Sequence, residues 1–499
     1  MKKNPILWLA LGGVLLAGCK KDFLDLSPQA TSSAANFFQT PSQIEQAVNG
    51  AYVPLRDLTN LEYWVYGEMR SDNTSFQYNN TDRGQESQRE FVDEFLVSAN
   101  SESVLSYWQG SYRGISRCND VLGHVDAVAM TADKKNQYIG EAKFLRAWYY
   151  YNLVRQYGGV PLRLESVGSP AEAKSPGRAT LDAVYTQIVA DLTDAAAKLP
   201  TKAAYAAADA GRATKGAATA LLASVYLTRK DYPNALTQLR AVRSAGYSLL
   251  SSYRSVFDPA NKNNAESIFE VQYLGSQPAI SSYFTYTFAP YTSGNLVTGD
   301  AATRNLNGAS GWNIPTPELI NAYETGDLRK DASLQLGYKD ATGTFVAQPY
   351  VSKYNFGIVA PGRTDTDFPV LRYADVLLMQ AEVLNEQGYA AGGEAFDLLN
   401  QVRRRAGLPD KTAAAVSSQA AFRDAVLQER RVELAFENQR WYDLVRTGRA
   451  VSVLNAQGVL EKARKTFLPA SAYQVTTNNL LLPIPQYELT LDNLEQNPL

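Results

Sequence analysis

Two distant segments of this chain repeat one helical plan, and that repetition limits the folds open to it. Thr214 to Gly246 carries Leu221-Leu222-Ala223, Val225, Tyr226 and Leu227, a break at Lys230-Asp231-Tyr232-Pro233, then Ala235, Leu236 and Leu239. Tyr373 to Gly407 carries Leu377-Leu378, Ala381, Val383 and Leu384, a break at Gly388-Tyr389, then Ala395, Leu398, Leu399 and Val402. Small residues where helices cross, with a turn before the second helix, mark tetratricopeptide-like repeats. Neither helix of such a pair can bury its apolar face alone, so the pairs must stack. Tyr138 to Leu199 supplies a third candidate pair, interrupted by Gly158-Gly159 and Pro161 and ended by Pro200. The expected fold is mostly α: a tetratricopeptide-like helical-repeat scaffold with inserted long loops and a few short strands.

Other segments fit around that scaffold. Phe37 to Tyr52 reads as an amphipathic helix, its main part opened by Pro41 and striped by Ile44, Ala47, Val48 and Ala51. Tyr138 to Tyr157 is apolar or aromatic around most of its circumference, which predicts burial between other helices. Residues 247–370 are rich in Gly, Pro, Asn, Ser, Thr and Tyr and read as loops and short strands, with one β-like run from Ser267 to Tyr273. Gln419 to Thr447 reads as a last helix before a Pro-rich tail. The chain divides accordingly into a helical region (36–246), a loop-rich insertion (247–370) and a second helical region (371–499).

The N-terminus speaks to compartment. Lys2 and Lys3 precede a short apolar run, Ile6 to Ala17, and small residues lead to Cys19. This is the layout of a secretory signal over residues 1–18. The run is too short to cross a hydrocarbon core of about 30 Å. Leu16-Ala17-Gly18-Cys19 resembles a bacterial lipobox, which implies lipidation of Cys19 and a polar tether over residues 19–35. Acylation would anchor the chain to a membrane. Cys118 is then left without a partner and reads as a buried, inert thiol.

Composition excludes several classes of function. Forty-eight basic residues face 50 acidic ones, for a net charge of −2, with no long basic block. That argues against a nucleic-acid partner. His124 is the single histidine, so a His-rich zinc site is impossible, and no nucleophile-elbow, zincin or phosphate-loop motif occurs. No catalytic residue, metal ligand or cofactor is expected. Paired carboxylates leave a helical glycoside hydrolase as the enzyme alternative.

Tyrosine is over-represented, at 30 against 18 Phe. A sugar ring, with an apolar face and a rim of hydroxyls, calls for an exposed aromatic platform flanked by a few polar groups. Two segments have that composition. One carries Trp64, Arg70, Asp72, Asn73 and Tyr78; the other carries Tyr286, Tyr291, Asn305, Asn307, Trp312 and Asn313. Trp64 and Trp312 are the expected stacking surfaces.

Several motifs, in order, resemble the SusD/RagB family of nutrient-uptake lipoproteins. They are the lipobox, Phe37-Phe38 through Ala51-Tyr52, and Gly140-Glu141-Ala142-Lys143-Phe144-Leu145-Arg146-Ala147 running to Gly158-Gly159-Val160-Pro161-Leu162. Arg372-Tyr373-Ala374-Asp375-Val376-Leu377-Leu378 follows, then Glu429-Arg430-Arg431-Val432-Glu433-Leu434-Ala435-Phe436-Glu437 with Arg440-Trp441-Tyr442-Asp443-Leu444, and Leu482-Pro483-Ile484-Pro485 with Gln496-Asn497-Pro498. The resemblance implies a non-enzymatic, outer-membrane, cell-surface lipoprotein. It would capture oligosaccharides, or alternatively oligopeptides, for a SusC/RagA-like TonB-dependent transporter. In starch-binding members the two aromatic segments broadly supply the ligand contacts. A repeat scaffold that binds only a protein is the remaining alternative. The charges crowding residues 429–443 are expected to form an ion-pair network that fixes helix register, with Leu427, Leu434 and Trp441 on one apolar seam.

Overall fold

A computed structural model describes residues 37–81, 86–167, 176–301 and 309–498. The signal segment, Cys19 and the tether lie outside them, as do Asn305 and Asn307.

Helix α1 (Pro41–Leu58) starts at a capping box, in which the Thr40 side chain accepts from the Gln43 N–H. Wider, π-type turns then carry the chain on to Met69. Strand β1 (Thr74–Ser75) and helix α2 (Glu86–Asp93) lead to three long helices, α3 (Glu102–His124), α4 (Ala132–Tyr157) and α5 (Leu181–Lys198). The two echoing pairs are α6 (Lys215–Thr228) with α7 (Tyr232–Arg243), and α11 (Tyr373–Gln387) with α12 (Glu394–Arg405) further on. Between them come β2 (Ser267–Val271), α8 (Phe284–Phe288), β3 (Ile314–Pro315), α9 (Pro317–Ala322) and α10 (Arg329–Ser333). The short strands β4 (Leu334–Gln335), β5 (Tyr338–Lys339), β6 (Phe345–Val346) and β7 (Tyr350–Val351) follow, and β8 (Phe368–Arg372) runs into α11 (Tyr373–Gln387) and α12 (Glu394–Arg405). The chain closes with α13 (Gln419–Glu433), α14 (Arg440–Arg446), α15 (Ala450–Arg464) and α16 (Gln486–Asp492).

Packing follows the repeat logic. Helix α1 lies on α3, α3 on α4, α4 on α5, α5 on α6 and α6 on α7, and α7 packs directly against α11. The loop-rich insertion is therefore extruded to one side of a continuous helical stack. Its longest ladder, β2 with β8, is antiparallel and returns the chain to the start of α11. As the apolar pattern of α4 requires, Phe144, Leu145, Trp148, Tyr149, Tyr150 and Leu153 are all buried. Cys118 is buried on α3, and burial raises its thiol well above the ordinary range.

The expected single helix over 419–447 is two helices. Phe436 and Asn438 take left-handed backbone conformations, φ 68° and 63°, and break it. The break lets the Asn438 side chain lie against Gly67, where an added Cβ would fall 2.0 Å from Asn438 Oδ1. Leu434 and Trp441 thus sit on different elements, and the sevenfold seam does not exist. Helix α15, which the sequence reading assigned to the tail, packs on α14.

The charges of α13 do form a buried lattice. Glu433 accepts from Arg329 at 3.0 Å and Arg372 at 3.0 Å and also pairs with Arg405. Glu429 accepts from Arg329 at 2.6 Å and Arg403 at 2.9 Å. Glu437 binds Lys353 and Arg372. Against the cost of burial, the three guanidiniums around Glu433 hold it ionised, below the usual carboxylate range.

Candidate functional site

The two aromatic segments meet. Strand β1 pairs antiparallel with β3, Thr74 opposite Pro315 and Ser75 opposite Ile314. The Thr316 N–H donates to the Asn73 carbonyl at 2.9 Å, and the Gln77 N–H to the Gly311 carbonyl at 2.8 Å. Segments more than 200 residues apart in sequence therefore form one wall.

Most of the side chains expected at its surface point inward. Trp64 is 1% exposed and Trp312 5% exposed, with ring centroids 6.3 Å apart. The Trp64 edge abuts Phe288 at 5.3 Å, and the Arg89 guanidinium lies 5.8 Å from each indole. An exposed tryptophan platform is thus not what the fold makes of these residues. Two large rings on adjoining short elements bury more apolar area by packing together than by facing water.

The polar residues of the set are structural too. Arg70 is buried over the Trp441 ring at 4.4 Å, and donates to Gln156 and to the Asn479 carbonyl. Asp72 accepts from Arg440 at 2.7 Å and Arg431 at 2.9 Å. Burial pushes its carboxyl up, but the Arg440 and Arg431 guanidiniums outweigh this and hold it below the usual range. Asn73 bridges Arg431 and the buried Glu68, and Thr74 Oγ1 donates to Asn313 Oδ1 at 2.7 Å. The Tyr286 hydroxyl donates to Asp300, which also accepts from the Gly362 N–H and so ties two loops together.

Two of the expected residues reach the surface. Tyr78 and Tyr291 are half-buried. Tyr78 stacks on Phe467, centroids 3.8 Å apart and planes at 21°, and Phe467 is 39% exposed. Gln77 accepts from the Tyr291 N–H at 2.8 Å and donates to Thr292 Oγ1 at 3.0 Å. The Tyr338 hydroxyl donates to the same Thr292 oxygen at 3.1 Å. The outcome is an aromatic pair beside a rim of amide and hydroxyl groups, which presents hydrogen-bond donors and acceptors beside a π-face.

Phe467, Thr292 and Tyr338 were not legible in the sequence. Phe467 lies in a loop after α15, brought in by a contact between Lys465 and Ser75 of β1. Lys465 also lies 4.5 Å from the Phe76 ring centre. No local pattern signals such a contact. Support for this wall comes from Asp93 beneath it, which accepts from Ser75 at 2.6 Å and Tyr473 at 2.7 Å. Burial raises Asp93 to about 8. Among the described residues no cluster of His, Cys, Asp or Glu could hold a metal, and no helix is long and apolar enough to cross a membrane.

Comparison with known proteins agrees with this architecture. The model of the SusD family matches residues 329–499, and one described as "Starch-binding associating with outer membrane" matches residues 22–227. SusD-like protein P2 of Formosa agariphila is 28% identical, over 97% of this chain and 99% of its own length. Among solved structures, a laminarin-binding SusD-like protein is 27% identical, with a TM-score of 0.75 over 92% of this chain and 99% of that one. Surface glycan-binding protein A from Bacteroides uniformis is 25% identical, with a TM-score of 0.75 over 91% and 99%. With its helical stack, its side insertion and two family models that tile most of its length, this chain belongs to the SusD/RagB family.

Proposed function

We propose that this protein is a surface lipoprotein, anchored through Cys19 in the outer membrane, that captures oligosaccharides and hands them to a SusC/RagA-like TonB-dependent transporter. It acts by binding and not by catalysis. The observation that carries the reading is the surface at the β1–β3 junction, where the stacked Tyr78–Phe467 pair lies beside Gln77, Tyr291, Thr292 and Tyr338. Such a surface suits the alternating apolar faces and hydroxyl edges of a neutral glycan. A relative named for laminarin binding, similar along nearly its whole length, supports the same ligand class. The buried Trp64 and Trp312 hold the wall in place from behind.

Calorimetry on glycans selected from an array tests the site. Replacing a main aromatic contact should cost about 2 kcal/mol, or roughly thirtyfold in affinity. Tyr78→Ala and Phe467→Ala should each weaken binding on that scale and leave the melting temperature nearly unchanged. Full affinity in both variants would move the site elsewhere. Binding of oligopeptides but no glycan would reassign the ligand class.

A further inference from the structure

A pocket that shares no residue with the β1–β3 wall opens between α1, the turn at residues 207–212 and β2. It has a volume of about 490 Å³, an ordinary size for a small-molecule site. Leu55 of α1, Phe269 and Val271 of β2 and Ile280 form its apolar side. Its walls are tied in place. Arg212 pairs with Asp209 of the turn at 2.8 Å, with Glu141 of α4 at 3.1 Å and with Glu45 of α1 at 3.2 Å. The Tyr52 hydroxyl donates to Glu141 at 2.8 Å and accepts from the Ala213 N–H at 2.9 Å. Gly211 takes φ 94° and lies so close to the end of β2 that an added Cβ would fall 2.5 Å from Gln272 Cγ. The turn is thereby pinned to both α1 and β2, and the space between them is preformed.

One cation in this pocket has nothing to neutralise it. The Arg56 guanidinium makes no hydrogen bond and no ion pair among the described residues, and its Nε is buried without a partner. A buried N–H left unpaired costs stability, so its presence points to a group that the chain does not itself supply. The carboxylates of the lining are committed elsewhere, Asp209 to Arg212 and Glu270 to the Asn263 N–H. Gln272 is closed as well, exchanging hydrogen bonds with the Asn263 amide. Asn49, by contrast, stands exposed at the rim, two helical turns before Arg56. Asn49, Tyr52 and Arg56 share one face of α1, the first and last about 10 Å apart along its axis.

We infer that this pocket binds an acidic sugar, a uronate, with its carboxylate on Arg56. The planar guanidinium fork matches a carboxylate bidentately, and the pair is strong because both partners are charged. The apolar face of the sugar ring lies against Phe269, Val271 and Ile280, and its hydroxyl rim meets the Asn49 amide. A neutral sugar leaves Arg56 unpaired. An alkyl carboxylate satisfies Arg56 and gives Asn49 nothing to bind. A uronate satisfies both groups and the apolar wall together. The assignment is independent of the stacked Tyr78–Phe467 pair and holds whether or not that pair binds glycan.

The test is calorimetry on residues 19–499 with Cys19→Ser, titrated with methyl glucuronide, methyl glucoside and hexanoate. At ordinary efficiency per atom a ligand of this size binds with a Kd of about 1 mM. Methyl glucuronide should bind on that scale, and methyl glucoside about tenfold or more weakly for want of the charged pair. Hexanoate, which has the carboxylate and no ring, should bind more weakly than the glucuronide. Arg56→Gln should remove the preference for the glucuronide and leave the melting temperature nearly unchanged, since Arg56 has no partner in the chain to lose. Ala210→Trp, on the exposed turn, keeps the charge and fills the pocket, and should abolish glucuronide binding. Arg113→Gln removes an exposed charge elsewhere and should leave it as it was. Equal affinity for glucuronide and glucoside, hexanoate binding as tight as the glucuronide, or full glucuronide affinity in Arg56→Gln would overturn the assignment. So would the absence of glucuronide binding up to about 50 mM, well above the expected Kd.

Discussion

The helices α1, α3 and α4 and the group α12 to α14 are both buried helical assemblies, but they cohere through different chemistry. The first group is joined by rings whose hydroxyls reach backbone carbonyls. Tyr149 donates to Ala51 at 2.9 Å, Tyr157 to Val104 at 3.0 Å, and Trp108 meets Tyr157 edge to face at 5.0 Å. The contact is close enough that a Cβ on Gly114 would fall 2.2 Å from the Tyr149 ring. The second group is joined by the Arg–Glu lattice on Glu429, Glu433 and Glu437. Ring packing tolerates the loss of one polar atom. A buried charge lattice does not, because every removal strands an opposite charge.

The largest expected effect lies in the lattice. Glu433→Ala leaves Arg329, Arg372 and Arg405 each short of a carboxylate, and should cost about 3–5 kcal/mol of stability. Denaturant titration measures it. A loss comparable with that of a surface substitution would mean that the lattice relaxes and that the two groups do not differ.

Acid and base should separate the regions next. Burial raises Glu68 to about 7 and Asp93 to about 8, so their contribution to stability is complete at low pH and is lost as pH rises through those values. Glu324 runs the opposite way, because hydrogen bonds from Arg403 hold it at about 2. Its contribution, like that of Glu433, is present above the ordinary carboxylate range and is lost as pH falls. Melting temperature against pH should therefore peak near the ordinary carboxylate range, at about 4, and decline from there up to about 8. Asp93→Asn should flatten the alkaline side alone, and an unchanged slope there would show that Asp93 is ionised in the native state.

The smallest effect belongs to the aromatic group. Tyr149→Phe removes one hydroxyl from the Ala51 carbonyl and keeps the ring, and should cost about 1 kcal/mol. A cost near that of Glu433→Ala would erase the distinction between the two groups.

The repeat pairs were legible because 3.6-residue periodicity and breaks such as Tyr232-Pro233 are local signals. The lattice was legible because seven charges crowd residues 429–443. The two aromatic segments were also singled out by composition, and the structure joins them. The direction in which their side chains point was not legible. Trp64 follows wide helical turns and Trp312 precedes Asn313 at φ 55°, and burial of each depends on a partner more than 200 residues away. Phe467 had no signature at all, since only Lys465 reaching Ser75 brings it to the wall.

The β1–β3 ladder has two residues on each strand, yet it joins residue 74 to residue 315. Closing so long a loop carries an entropic cost that grows only slowly with length, but nothing local offsets it in advance. The ladder is therefore expected to form after the helices on either side have consolidated. Any fragment that stops short of residue 315 lacks one side of the β1–β3 junction, however well its helices pack. The junction is thus a property of the finished chain, and a half-made molecule has no such wall at all.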